Sequence, residues 1–373
     1  MWGSPRTRAK RAVRSLKTDL SALHTLLVDP VQSRSYFQEA PRKSRPRICG
    51  ELLWWWLRYR EVNRYYYLYG LDRRGASTRD LLPYRRFRAL RNDRNFHALG
   101  TSGYYNGSYN YICLLRDKHL FCTFANSLGL PVPKLRATLS PEGLQWAGET
   151  ICRDLSALCE EGAPELDLIC KPVDGIMGAN IFRMESGPGR LVLSGEDSTI
   201  EALRERIGAR YILQDRVRQH ADLAALHPAS VNTLRLVTYL EEGETSLFSA
   251  SLRVGAGGSS TDNWSAGGIL LAVDPNCGCV IGDGFMKPAF GLRVSEHPDS
   301  GIVFDGYQVP LYDQALQAAS AFHRQLPGVH SIGWDIAITQ DGPMILEAND
   351  DWDGAIPMAM ESGFKSRFLD KYR

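Results

Sequence analysis

The residues most able to do chemistry lie near the C-terminal end, in GWDIAITQDGPMILEAND, residues 333–350. Two runs of alternating apolar and polar residues flank a turn at Gln340–Asp341–Gly342. Asp-Gly between such runs is a hairpin signal. The hairpin can bring Asp335 opposite Glu347 and Asn349. Glu347 and Asn349 are two apart on one strand and so share a face. Two carboxylates and an amide oxygen form a hard-oxygen set suited to Mg²⁺, with Mn²⁺ as the alternative. Magnesium keeps several waters and takes further ligands from substrate phosphates. A solvated hairpin with polar ends is the competing reading, and the apolar neighbours Ile336 and Leu346 favour the metal site.

Cations precede this hairpin. Asp117–Lys118 opens a predicted helix, and DLICKPVDGIMGANI (167–181) reads as a strand ending in Lys171 and a loop with Gly175 and Gly178. A lysine at a strand end neutralises phosphate charge, and glycines let backbone N–H groups approach phosphate oxygens. No G-K-[ST] follows the glycines, so this is not a Walker A motif. Arg235 and Arg253 each sit on a predicted strand, where a buried arginine needs an anionic partner.

In this order the motifs resemble those of the ATP-grasp ligases, which include the D-alanine–D-alanine ligases. The resemblance implies that Asp335, Glu347 and Asn349 hold magnesium ions bridging ATP phosphates. It makes Lys118 and Lys171 nucleotide lysines, and the loop with Gly175 and Gly178 the cover over the phosphates. In YILQDRVRQH (211–220) it places Gln214 at the exocyclic amine of adenine and the backbone of Arg216 and Val217 at the ring edge. Many relatives carry Glu at the Gln214 position; Gln still accepts through its carbonyl. The pattern Arg235, Arg253, Asn263, Gly267–Gly268 resembles the active-site strands of ATP-grasp amino-acid ligases, where such residues face the γ-phosphate and the activated carboxylate. The arrangement is most like the sugar-transfer-associated ATP-grasp subgroup, over about residues 117–360. The implied reaction is ATP-dependent amide formation between a small-molecule carboxylate and an amine, sugar-linked substrates included, through an acyl phosphate. Its setting would be glycan, cell-envelope or secondary-metabolite synthesis. A kinase acting on a hydroxyl is the alternative.

The elements that must position these groups are α+β. Predicted strands include 167–173, 191–195, 211–217, 233–240, 246–254, 267–273, 332–340 and 343–350, with helices at about 197–207 and 311–325. The resemblance makes residues 98–373 the catalytic domain, with a lid lobe at about 135–212 and a metal-binding lobe at about 213–360. Residues 1–97 read as a separate helical region: 8–28, an aromatic run from Glu51 ended by Gly70, and 80–98. The Trp54–Trp56 and Tyr65–Tyr67 clusters read as packing rather than nucleic-acid stacking, and no nucleic-acid partner is expected. A polar, Gly- and Asn-rich stretch covers 97–110.

Bulk properties narrow the class. The chain has 373 residues, 44% hydrophobic and 23% charged, ordinary values for a globular protein. No run approaches the ~18 apolar residues of a membrane span, and the basic start lacks the apolar core of a secretion signal. The eight cysteines are scattered, and Cys277-Gly278-Cys279 lacks a second pair to complete a zinc site. These features suit a reducing cytoplasm. The net charge of +2 hides a division: residues 1–97 hold 22 Lys and Arg against 8 Asp and Glu, the remainder 22 against 34. Such a split suggests an anionic partner for the N-terminal region, a membrane surface at its inner face or an acidic glycan.

Overall fold

Strand-forming runs between residues 135 and 349 sort into two antiparallel sheets of seven strands each. In this computed structural model the described residues are 5–95, 100–102, 107–109, 111–175, 178–360 and 363–372. Helices α1 (Pro5–Val28), α2 (Arg45–Tyr59) and α3 (Tyr84–Asn95) come first. A two-stranded ribbon follows, β1 (Gly100–Ser102) with β2 (Gly107–Tyr109). The rest of the Gly- and Asn-rich stretch 97–110 lies outside the described residues, as do Ile176 and Met177 of the predicted phosphate loop. Then come α4 (Ile112–Arg116) and α5 (Lys118–Ser127). The Asp117 carboxylate caps α5 by accepting from the Leu120 N–H at 2.9 Å, which fixes Lys118 at the helix start.

The smaller lobe is built from β3 (Leu135–Ser140), β4 (Gly143–Trp146), β5 (Leu166–Pro172), β6 (Phe182–Gly187), β7 (Arg190–Leu193), β8 (Glu196–Asp197) and β9 (Tyr211–Asp215), in the order β4-β3-β9-β5-β6-β7-β8. Helix α6 (Ile200–Arg206), capped by Thr199, covers it. Leu139, Leu168, Met184, Leu203 and Leu213 are among the residues of its own buried core.

Helix α7 (Ala221–Leu226) leads into the larger sheet. Its strands are β10 (Thr233–Glu241), β11 (Glu244–Val254), β12 (Ile269–Val273), β13 (Val280–Phe285), β14 (Arg293–Val294), β15 (Ser331–Thr339) and β16 (Gly342–Asn349), in the order β14-β13-β12-β11-β10-β15-β16. Helix α8 (Tyr312–Arg324) packs on one face, burying Phe322, Ala315 and Ala319 with Leu234, Leu236, Trp334 and Ile336. On the other face Val237, Tyr239, Phe248 and Trp352 meet Leu82 and Phe87, and also Phe364 and Phe368 of α10 (Phe364–Asp370), which follows α9 (Ala355–Met360). Strand β15 is therefore buried at eight of its nine positions, and its sequence is almost uniformly apolar.

Strand alternation divides β10 by chemistry. Leu234 and Leu236 join the core under α8. Thr233, Arg235, Val237 and Tyr239 alternate with them. The last two lie in the aromatic cluster, whereas Thr233 and Arg235 carry the polar groups described below.

The N-terminal region shares its cores with the larger lobe. Leu23, Tyr36, Trp55 and Tyr66 cluster with Phe285 and Leu292, and the Tyr36 hydroxyl donates to the Met286 carbonyl at 2.8 Å. The aromatic run breaks earlier than Gly70. Helix α2 stops at Tyr59, and Arg60 takes a left-handed conformation with φ 56°. The reason is Glu61, whose carboxylate accepts from the N–H groups of Tyr84 and Arg85 at 2.7 and 2.8 Å and so caps α3. Trp55, Tyr66 and Tyr67 are buried, but Trp54 is 53% exposed.

Candidate functional site

One cross-strand row holds most of the chemistry. The registers pair Ser251 with Arg235, Arg235 with Asp335, and Asp335 with Glu347. Asn349 lies two residues on, paired with Gly333. A side chain at Gly333 would strike Trp352, because an added Cβ would lie 2.6 Å from its Cβ. Arg235 grips Asp335 with two bonds, Nε–H to Oδ1 at 2.5 Å and Nη2–H to Oδ2 at 2.9 Å. Arg253 reaches the same carboxylate at 3.1 Å and donates to Thr233 Oγ1 at 2.7 and 2.9 Å. Thr233 in turn donates its N–H to Asp262 at 3.1 Å and its hydroxyl to the same oxygen.

Burial pushes the Asp335 carboxyl toward neutrality, but the Arg235 and Arg253 guanidiniums outweigh it and hold the group below its ordinary range. Burial wins at Asp262, which is raised despite Arg253. Arg253 is raised: its carboxylate neighbours Asp335, Asp262 and Glu347 overcome the cost of burial.

The smaller lobe and α5 bring lysines to this row. Lys118 Nζ lies 3.1 Å from Glu347 Oε1 and donates to the Gly175 carbonyl at 2.5 Å. The ammonium of Lys171, at the end of β5, makes no hydrogen bond or ion pair with any described residue. Burial lowers its ammonium pKa, with Cys122, Glu347, Lys118 and Asp335 as its charged or ionisable neighbours. A half-buried cation whose ammonium is unpaired among the described residues, beside two carboxylates, suits a ligand that brings negative charge.

Gln214 is almost fully buried. Its amide nitrogen donates to Pro133 O at 3.3 Å and contacts Cys122 Sγ at 3.1 Å. Its Oε1 is buried without a partner among the described residues. An orphaned buried acceptor costs about 1–3 kcal/mol unless a ligand donor completes it. That fits an adenine amine. Asp335, Glu347 and Asn349 supply oxygen donors of the kind a divalent ion takes, although two of the three already hold cationic side chains.

Several predicted roles meet bonds already made. The Arg216 N–H donates to the Asp167 carbonyl at 3.1 Å, so a ring edge would find its carbonyl and the Val217 N–H instead. The Gly175 N–H closes a local turn on Pro172 O at 3.3 Å. Gly178 has φ +74° and open space around it. The Asn263 side chain caps a short 3-10 turn, accepting from the Ser265 N–H at 2.9 Å. Gly268 is held close: an added Cβ would lie 2.3 Å from the Asp262 carbonyl oxygen. Thr233 was not singled out in the sequence, although its place two residues before Arg235 on a strand is a legible signal. The link of Arg116 to Asp350 at 2.8 and 3.1 Å, behind the hairpin end, has no local signature.

Two seven-stranded antiparallel sheets, with Lys118 of α5 held against the carboxylate hairpin of the larger one, match the ATP-grasp architecture. The family model for sugar-transfer associated ATP-grasp proteins matches residues 102–371, and the chain belongs to that family. A comparison with curated proteins finds no match. Among solved structures the chain is similar to the L-amino acid ligase from Bacillus licheniformis, at 11% identity and TM-score 0.38, covering 67% of this chain and 43% of that one. It is also similar to the D-alanine–D-alanine ligase from Bacillus anthracis, at 12% identity and TM-score 0.36, covering 69% and 66%. A third is the N5-carboxyaminoimidazole ribonucleotide synthetase from Thermus thermophilus, at 15% identity and TM-score 0.38, covering 68% and 51%. The chain thus spans less than half of the first of these and just under two thirds of the second.

Proposed function

We propose that this protein is an ATP-dependent carboxylate–amine ligase that forms an amide through an acyl phosphate. The observation that carries the reading is the convergence of Lys118, Lys171 and Arg253 on Asp335 and Glu347. It supports a site that draws charge from a γ-phosphoryl group. A substrate carboxylate oxygen bonds to the γ-phosphorus as the bond to ADP breaks. The amine then attacks the acyl carbon, the carbon–oxygen bond to phosphate breaks, and the nitrogen gives up a proton. Lys118 and Lys171 would neutralise the phosphates, Gln214 would accept from adenine, and Arg235 and Arg253 would orient the transferring groups and the carboxylate. Asp335, Glu347 and Asn349 would hold magnesium, which when bound stabilises charge on the phosphates. Positioning and preset electrostatics do most of the work in such transfers.

Product analysis tests this. With Mg²⁺, pooled amino acids and amino or uronic sugars, ADP and free phosphate are expected only with a carboxylate–amine pair. Hydroxylamine should trap a hydroxamate. ADP without free phosphate, with label passing to a hydroxyl compound, would make the protein a kinase and overturn the ligase reading.

For the N-terminal region we propose an anionic membrane surface as partner, on the cytoplasmic side. No helix among the described residues is long and apolar enough to cross a membrane. Support comes from the outer face of α2, where Leu53, Trp54 and Leu57 are exposed beside exposed Arg47 and Arg58. Leu16 and Leu20 of α1 are exposed as well. Apolar side chains flanked by arginine suit the headgroup boundary. Deleting residues 1–97 would strip buried partners from Phe285 and Trp352, so surface variants are the sound test. The triple change Leu53→Ser, Trp54→Ser, Leu57→Ser should cut binding to anionic vesicles about tenfold or more. Wild-type protein that partitions equally to anionic and zwitterionic vesicles, or not at all, removes the idea.

A further inference from the structure

A second constellation stands apart from the cross-strand row, where the chain leaves β11. His227 follows α7, and His297 and Asp299 lie in the turn His297-Pro298-Asp299-Ser300. One potential ligand atom from each lies within 4.8 Å of the others. Both imidazoles are buried, at 3% and 0% exposure, whereas the Asp299 side chain is 45% exposed.

The hydrogen bonds fix how the rings present their nitrogens. His227 Nε2 lies 2.9 Å from the Ser259 carbonyl and His297 Nε2 lies 2.8 Å from the Gly255 carbonyl. A carbonyl only accepts, so each Nε2 carries the proton. In neutral rings each Nδ1 is then an acceptor. His227 Nδ1 faces the Asp299 carboxylate at 3.6 Å with no donor between them among the described residues. His297 Nδ1 takes two long contacts from the Asp299 and Ser300 N–H groups, at 3.2 and 3.4 Å. Asp299 Oδ2 also accepts from the Gly257 N–H at 2.7 Å. The His227 lone pair and the Asp299 carboxylate thus face each other, with the His297 lone pair beside them engaged by two long backbone contacts, and a positive species there would relieve the repulsion. An imidazole that donates its far N–H to a backbone carbonyl is the usual posture of a metal-ligating histidine.

We propose that His227 Nδ1, His297 Nδ1 and an Asp299 carboxylate oxygen form a divalent-metal site that takes zinc or a similar first-row ion. Two nitrogens and one oxygen, with the exposed side left to water, match the donor set of an open zinc site. Its place gives it a role. Gly255 is two residues beyond Arg253, and Ser259 is three before Asp262, so the ion would tie the turn between these residues to two other connections. The packing there is already tight: an added Cβ at Gly255 would lie 2.4 Å from Ser230 Oγ and 2.5 Å from His227 Cδ2.

The test uses the full chain and zinc alone as probe. Chelator-treated protein, in a Cys277→Ser/Cys279→Ser background to remove thiol ligands, is dialysed against micromolar Zn²⁺ with excess Mg²⁺. Metal content and melting temperature are then read. One zinc per chain and a raised melting temperature are expected. Asp299→Asn keeps an acceptor for the Gly257 N–H and should weaken zinc binding at least tenfold. His227→Ala should do the same. No bound zinc in the parent, or equal zinc in parent and both variants, overturns the proposal. Neither readout depends on the ligase reading.

Discussion

Glu347→Gln is expected to lower ATP turnover by ~10³-fold while leaving the fold intact, because a metal-held phosphoryl group draws several kcal/mol of charge stabilisation from its ligands. The Glu347 side chain is 35% exposed and its described ion-pair partner is Lys118 at 3.1 Å. A pair that open contributes about 0–1 kcal/mol to stability. The melting temperature should therefore move by about 2 °C or less. Substitution with Gln keeps the shape and removes one negative charge, so the magnesium concentration for half-maximal rate should rise as well. Unchanged turnover with an unchanged magnesium requirement would remove Glu347 from the metal site. It would also leave the hairpin as a purely structural pair of strands.

Arg235→Ala should behave in the opposite way, with a large loss of stability as well as of activity. Arg235 and Asp335 are bound by two short bonds, with side-chain exposures of 19% and 8%. Removing one member of a buried pair leaves an uncompensated charge and costs about 3–5 kcal/mol. Arg253 still faces Asp335, so the lower end applies. The pH dependence gives an independent reading. The Asp335 carboxyl is held below its ordinary value in the folded protein. Its contribution is therefore present above the unfolded-state value of ~3.9 and is lost as pH falls through the folded value. Without Arg235 the folded value rises toward the unfolded one, so the acid loss due to this group should be smaller, and complete at higher pH, than in wild type. Denaturant titrations across this range measure both effects. Wild-type stability with an unmoved acid limb would show that the pair contributes nothing. The companion Asp335→Asn removes the buried charge, and its acid limb should lack this component.

The sequence made the central row legible because strand alternation and an Asp-Gly turn set register over short distances. Asp335 pairs with Glu347, and the helix at Lys118 begins where Asp117 can cap it. Other features depend on partners far along the chain. Nothing near residue 60 signals that Glu61 caps a helix at Tyr84 and so ends the aromatic helix at Tyr59. The N–H groups of Arg216 and Gly175 look available in the sequence but are taken by Asp167 and Pro172. The strands Leu135–Ser140, Gly143–Trp146, Phe182–Gly187 and Val280–Phe285, with the two-residue strands Glu196–Asp197 and Arg293–Val294, are not among those predicted from the sequence. They are short, and the first and third each lie between two other strands of the smaller sheet. His227 and His297 are 70 residues apart, and only the folded turns bring them together.

The face shared by Arg235 and Tyr239 carries a consequence for how this protein can be divided. On one face of β10 Thr233 and Arg235 carry the polar row with Asp335, and further along the same face Val237 and Tyr239 form a seat for Leu82 and Phe87. Gly354 is pressed so closely against Phe87 that an added Cβ would lie 2.6 Å from its ring. The N-terminal helices thus cover one end of the face whose other end is the row of Arg235 and Asp335. The catalytic lobes are not a transplantable cassette: moved to another protein, they would have to bring this cover or find a substitute for it.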